Sequence, residues 1–182
     1  LLTGSVTEQE ANLLYIAVTT DTGCFQYANT NAATLRAAAR LLELGADNRK
    51  VSMEFFRKIS RARMALVGHI YSGMRFFRGG QIAIAVVTRA LIDALQATED
   101  DCDDIAGLPG RADGVVVSVT IRELTDGRSK ISVRTTPEVD SCAICAVYGG
   151  GGHKMASGCT LTCDPETAVE KILAAIDQVW PA

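Results

Sequence analysis

Gly149-Gly150-Gly151-Gly152-His153 is the segment of this chain with the strongest chemical signature. Glycine gives up more backbone freedom on folding than any other residue, so a run of them is costly to order and suggests a reason beyond simple connection. What glycine supplies is close backbone approach. Successive amide N–H groups can face phosphate oxygens, and a histidine directly afterwards adds a side-chain donor to the same anion. The segment continues Lys154-Met155-Ala156-Ser157-Gly158, whose small residues suit an open surface. A flexible connection between a helix and a strand is the alternative, and glycines taken alone fit it equally well. The adjoining histidine favours the anion site. The second signal is Thr20-Asp21-Thr22-Gly23. An aspartate in such a turn most often makes an Asx turn or a cap. At the end of an apolar helix, however, Asp21 also has the hard oxygen chemistry that Mn2+ or Mg2+ prefers.

The elements that must position these residues follow from local pattern. Thr7-Glu8-Gln9-Glu10 is a capping box, so a helix is expected from about Glu8 to Thr19. Thr30-Asn31 caps an alanine-rich helix to Leu44, with Gly45 as its stop. From Asp47 the apolar residues Phe55, Ile59, Ala62, Leu66, Ile70 and Phe77 recur at helical steps, which predicts helix as far as Arg78-Gly79-Gly80. That glycine pair is the expected module boundary, because the texture then changes to strands alternating with helices. Strands are expected at Gln81 to Val87, Gly114 to Leu124, Ser129 to Thr135 and Ser157 to Thr162, the middle two joined through Thr125-Asp126-Gly127. Short helices are expected after Thr88 and Thr98, another from Asp140 to Val147, and a closing one capped by Asp164-Pro165.

Composition narrows the classes of function. With 18 Lys+Arg against 21 Asp+Glu the net charge is −3, so no basic field exists to hold a long duplex by counterion release. The longest apolar runs, Leu13 to Val18 and Ile82 to Val87, fall far short of the roughly 20 residues of a membrane span. Six cysteines in 182 residues are too sparse for a disulfide scaffold, and reduced thiols in the cytoplasm are expected. The sequence begins Leu1-Leu2 without a basic stretch followed by an apolar one, so an excerpt from a longer chain is expected rather than a secretory precursor. His69 reads as a helix-surface or packed residue, and Arg57, Lys58, Arg61 and Arg63 as a solvated face. Glu99 to Asp104 reads as solvated acids opening a helix.

Asp21 and His153, in this order, resemble motifs of the DHH/DHHA1 phosphoesterases, and the branch they are most similar to is the bifunctional oligoribonuclease and pAp phosphatase proteins. Leu14 to Phe25 resembles the fourth DHH motif, Ile131-Ser132-Val133-Arg134 the Ser-x-Arg strand, and Gly150-Gly151-Gly152-His153 with Ala156-Ser157-Gly158 the DHHA1 signature. The resemblance implies an α/β fold: residues 1–60 as the helical C-terminal part of a DHH lobe, 61–80 as a connecting helix, and 81–182 as a DHHA1 lobe with a mixed sheet flanked by helices. It implies a phosphoesterase using a pair of Mn2+ ions on a short oligonucleotide or pAp, with a homodimer as a candidate assembly. Asp21 would then be a metal ligand, while Arg134, Gly150, Gly151, Gly152 and His153 would grip the substrate. Arg134 suits that role because its planar fork takes two phosphate oxygens at once.

This chain has no Asp-His-His triplet, and its only histidines are His69 and His153. One carboxylate cannot hold two divalent ions, so the 182 residues alone are expected to be inactive. Two alternatives remain at this point. One is a non-catalytic nucleotide-binding module. The other is a zinc-binding interaction domain using Cys142, Cys145, Cys159 and Cys163, whose spacing permits a site.

Overall fold

In the computed structural model, which describes residues 6–181, the chain divides into two units, Leu1–Ile59 and Ser60–Ala182. Leu1 and Leu2 lie outside the described residues. In the first unit the capping box forms as the sequence predicts. The Thr7 hydroxyl accepts from the Glu10 amide while the Glu10 carboxylate accepts from the Thr7 amide, opening α1 (Glu8–Asp21). Asn31 caps α2 (Ala32–Glu43), and Gly45 adopts φ +100° just beyond its end. Asp47 caps α3 (Asn48–Ser52). Ala11, Tyr15, Ala38, Leu41 and Val51 bury the shared interior of these three helices.

The expected continuous helix up to Phe77 is not formed. A π-helical turn, Met53–Arg57, ends the α3 segment, and a fresh helix, α4 (Arg61–Ser72), begins at a Ser60 cap. The last part of the stretch is a strand, β1 (Arg75–Phe77). Helical spacing misled here because Phe55 and Ile59 are exposed, so two of the six periodic positions have no core to face. Nor does Gly79-Gly80 part the compact units. β1 precedes the glycines yet pairs with the strand that follows them, and the division falls after Ile59.

The second unit is built on six strands: β1, β2 (Ile82–Val87), β3 (Val117–Glu123), β4 (Ser129–Thr135), β5 (Gly151–His153) and β6 (Ala156–Leu161). Their spatial order is β1-β2-β3-β4-β6-β5, with β2 and β3 parallel and every other pair antiparallel. One face carries Val117, Val119, Ile121, Ile131 and Val133 into a core with α6 (Ser141–Ala146) and α7 (Pro165–Val179). α7 contributes Ala168, Val169, Ile172, Ala175 and Ile176, the spacing of one helix face, and Arg78 anchors its end by pairing with Asp177 and lying 4.9 Å over the Trp180 ring. At the β2 end of the sheet a second cluster packs Ala85 and Val87 against Leu66 and Ile70 of α4, Ile92 of α5 (Arg89–Ala94), and Cys102, Ile105 and Leu108.

The segment expected to be a helix after Thr98 forms short 3-10 turns instead. Nor are all its acids solvated. Asp101 is 9% exposed, accepting from Ser60 Oγ and from the Thr98 amide at 2.8 Å. These bonds, that from Ser60 foremost, hold its carboxyl below the ordinary range.

Candidate nucleotide-phosphate site

Alternation along β3 and β4 decides which side chains stand outside the core made with α6 and α7. Between the buried valines and isoleucines stand Ser118, Thr120 and Arg122 on β3, and Lys130, Ser132 and Arg134 on β4. Successive side chains of a strand point to opposite faces, so these six share the face away from α6 and α7. The Ser-x-Arg spacing thereby has a physical meaning: Ser132 and Arg134 are consecutive positions on one face.

Register brings the distant motifs together on that face. Arg134 lies opposite Ser118 on one side and Ala156 on the other, and Ala156 lies opposite His153. Arg134 and His153 are therefore in one row, two strand spacings or about 10 Å apart. The neighbouring row runs Ser132, Gly158, Gly151. Between the cation and the imidazole the floor is thus alanine and glycine alone, a trough whose backbone a ligand can approach. A groove of about 200 Å3 adjoins it, between the Cys102–Ala106 segment and Arg122, Lys130, Ser132 and Arg134.

The four glycines divide by role. Gly149 has φ +72° and Gly152 φ +149°, conformations that side chains disfavour. A Cβ on Gly150 would collide with the Gly158 carbonyl oxygen and lie 2.5 Å from Cys159 Cβ, and one on Gly152 would lie 2.7 Å from Ser157 Cα. The chain itself accounts for these three, Gly149 by its backbone conformation, Gly150 by packing and Gly152 by both. Gly151 is different: its φ is not left-handed and a Cβ there would meet nothing within 4 Å. It lies on the open face, where neither backbone conformation nor packing calls for glycine. The glycine run accordingly turns out of α6 at Gly149 and enters the edge strand β5 at Gly151.

Electrostatics distinguish the cations. Arg122 is paired with Glu99 at 2.7 Å. Arg134 has no carboxylate partner among the described residues; its Nη1 donates to the Val133 carbonyl at 3.0 Å, leaving most of the guanidinium uncommitted. Its charge also reaches through the sheet to Cys145. That buried thiol is lowered to about 7, mostly by a hydrogen bond with Cys159, then by Ser157 and Arg134, against the opposing effect of burial, and Cys159 is correspondingly pushed up.

Two serines hold the turn between β5 and β6: Ser157, which the signature contains without a role, and Ser141, which sequence reasoning did not single out. The Ser141 hydroxyl donates to the His153 carbonyl at 3.1 Å, and the Ser157 hydroxyl donates to the Ser141 carbonyl at 2.6 Å. Both serines are buried. Ser141 carries no local signal; only its pairing partner reveals its purpose.

Asp21 belongs to the first unit, as the last residue of α1, where its Oδ2 accepts from Asn29 Nδ2 at 3.0 Å. Among the described residues no three His, Cys, Asp or Glu side chains converge on a metal-sized site. The residues present therefore do not fit a pair of Mn2+ ions, and the four-cysteine zinc alternative has no geometry to stand on. Cys145 and Cys159 are core, and Cys142 and Cys163 are half-buried. His69 is an exposed position of α4.

Residues 79–180 match the model of the DHHA1 domain, more than half of the chain. The chain belongs to the DHHA1 family. It is 36% identical over 172 residues to the bifunctional oligoribonuclease and PAP phosphatase NrnA of Thermus thermophilus, covering 93% of this chain and 51% of that protein. It is 32% identical over 152 residues to the protein of the same description from Mycoplasma genitalium, covering 84% of this chain and 46% of that one. The chain thus spans about half the length of the curated relatives it matches. Among solved structures it is similar to an exopolyphosphatase-related protein from Bacteroides fragilis, with a TM-score of 0.86 and 25% identity over 95% of this chain and 51% of that one. The mixed sheet flanked by helices expected for a DHHA1 lobe is what the second unit contains. No helix among the described residues is long and apolar enough to cross a membrane.

Proposed function

We propose that this chain is the nucleotide-binding part of a phosphoesterase that hydrolyses short oligonucleotides, pAp or both, and that Arg134, Gly151 and His153 grip a phosphate of the substrate. The observation that carries the reading is the row Arg134, Ala156, His153 beside the open Gly151: two directed donors flank a floor with no side chain large enough to hold an anion off the backbone. Gly150 and Gly152 belong to the grip by shaping the edge strand. The names of the relatives support the substrate class.

Asp21 alone does not make a two-metal centre. On this reading the remaining ligands for Mn2+ lie on other polypeptide, for which the greater length of the relatives leaves room, and the 182 residues by themselves bind but do not hydrolyse. The site recognises short, single-stranded substrate, since a net charge of −3 leaves long duplex without an electrostatic hold. A cytoplasmic setting fits the six free thiols. A homodimer would place two such faces in one particle.

Calorimetric titration of pAp and of a dinucleotide tests the grip. Wild type and Cys142→Ala bind alike, while Arg134→Ala and His153→Ala bind more weakly; unchanged affinity in both latter variants returns the glycine strand to a purely structural role. Manganese-dependent hydrolysis by the 182 residues, free of contaminating nuclease, would overturn the inactivity of the chain alone.

A further inference from the structure

Two thiols lie under the glycine strand. Cys145 of α6 and Cys159 of β6 belong to one core cluster, 0% and 8% exposed, and the Cys159 thiol donates a hydrogen bond to the Cys145 sulfur. On the same face of β6 as Cys159 is Ser157, whose hydroxyl oxygen, already donating to the Ser141 carbonyl, lies 3.1 Å from Cys145 Sγ. Ordinary core cysteines pack as small hydrophobes and have no need of each other. These two are in contact.

Gly150 is held between them. Its amide donates to the Cys145 carbonyl at 2.9 Å, and a Cβ on it would lie 2.5 Å from Cys159 Cβ and 2.9 Å from Cys159 Cα. The residue that leads into β5 is therefore bonded to one cysteine and pressed against the other. β5 itself is three residues long, lies at the end of the sheet and pairs with β6. A movement of Cys145 against Cys159 is thus passed to this strand, and with it to Gly151 and His153.

We infer that Cys145 and Cys159 are an oxidation site, closed by a hydroperoxide to a reversible disulfide that displaces Gly150 and loosens the phosphate grip; the last step rests on the proposed function. Cys145 is the attacking sulfur, since it receives the hydrogen bond and its thiol is the one brought down to about 7. It attacks the terminal oxygen of the hydroperoxide, the O–O bond breaks, and the alcohol, or water from hydrogen peroxide, leaves with the thiol proton. The Cys159 sulfur then attacks the Cys145 sulfenic acid, and the displaced hydroxide leaves as water with the Cys159 proton. Two electrons pass from the thiols to the peroxide, and a dithiol reductant returns them. Local opening of the short edge strand admits the oxidant, because Gly150 covers Cys159. A disulfide holds its sulfurs about 2.05 Å apart, closer than a hydrogen bond does, so α6 and β6 are drawn together where Gly150 is wedged.

The test uses the full chain carrying Cys142→Ser and Cys163→Ser, so that tryptic peptides 135–154 and 155–171 each keep one thiol, Cys145 and Cys159. Hydrogen peroxide is applied to the folded protein, and remaining thiols are alkylated before unfolding. Mass spectrometry without reductant then finds the two peptides joined, and dithiothreitol parts them. Calorimetry with pAp gives about 10- to 150-fold weaker binding for the oxidised form, recovered on reduction. Cys159→Ala in the same background, with thermal melting establishing that it folds, forms no crosslink and binds pAp alike before and after peroxide. That control separates the disulfide from oxidation of the exposed Met155, which dithiothreitol does not reverse. Peptides that stay separate after peroxide overturn the site whatever the variant does, and crosslinked protein that binds pAp as the reduced form does overturns its coupling to the grip. Reduced protein that crosslinks on oxidation yet never binds pAp would instead overturn the phosphate grip, so the failures are distinguishable.

Discussion

The two faces of the sheet in the second unit are written by the same strands, residue by residue in alternation, and they do opposite work. On β4, Ile131 and Val133 are fully buried against α6 and α7, while Lys130, Ser132 and Arg134 line the open groove. One face holds the fold together through apolar area removed from water; the other keeps an unpaired guanidinium available for a ligand. The lesson is that a period of two lets a short stretch of chain serve stability and recognition almost independently. Substitutions one residue apart should therefore separate into melting effects and binding effects.

The largest expected effect is on the buried face. Ile131→Ala leaves a cavity in a fully buried site and costs about 2–5 kcal/mol, read as a lowered denaturant midpoint with an unchanged slope. The folded fraction should still bind nucleotide, and a specific loss of affinity in this variant would break the separation of the faces. Next comes Gly150→Ala, whose Cβ runs into backbone on β6, at a cost of about 1–3 kcal/mol. Gly151→Ala, one residue on, meets open space and leaves the melting temperature almost where it was; equal destabilisation by the two would show that the open position is not open.

On the ligand face, His153→Ala and Arg134→Ala each remove a charge-assisted bond of about 1.5–3 kcal/mol, a loss of about 10- to 150-fold in nucleotide affinity. His153 is exposed, so its removal should change stability by no more than about 0.5 kcal/mol. A fall in melting temperature that matched the fall in affinity would make the binding face part of the scaffold.

The smallest effect concerns acid. The Asp101 carboxyl is held below its ordinary value by Ser60 and Thr98, so its contribution is present above the unfolded-state value of about 4 and is lost as pH falls through the lower folded-state value. Asp101→Asn should lower stability at neutral pH and flatten the acid limb of the stability profile. Parallel profiles for the two proteins would remove Asp101 from the acid response.

Much of this was legible in the chain because it is local. The Thr7 capping box, the Asn31 and Asp164 caps and the turn at Asp126-Gly127 each depend on neighbours within about four residues. Helical spacing failed at Phe55 and Ile59 because periodicity records where apolar side chains fall and not whether anything covers them. The glycine run was readable as unusual, but its division into packed and open positions was not, since the atoms that exclude a Cβ from Gly150 belong to Gly158 and Cys159.

Sequence by itself determined most of the elements, the alternation of β3 and β4, and the kinds of group available: one glycine-histidine segment, one Ser-x-Arg strand and an aspartate at the end of α1. Only the tertiary structure decided which of them meet. Arg134, Ala156 and His153 form a row because β4 pairs with β6 and β6 with β5 in one particular register. A shift of one residue in β4 against its neighbours would turn Arg134 into the core and Val133 into the groove. That register is chosen by the requirement that Val133, Ile131 and Cys159 be buried together, a non-local condition that no short stretch of the chain can express.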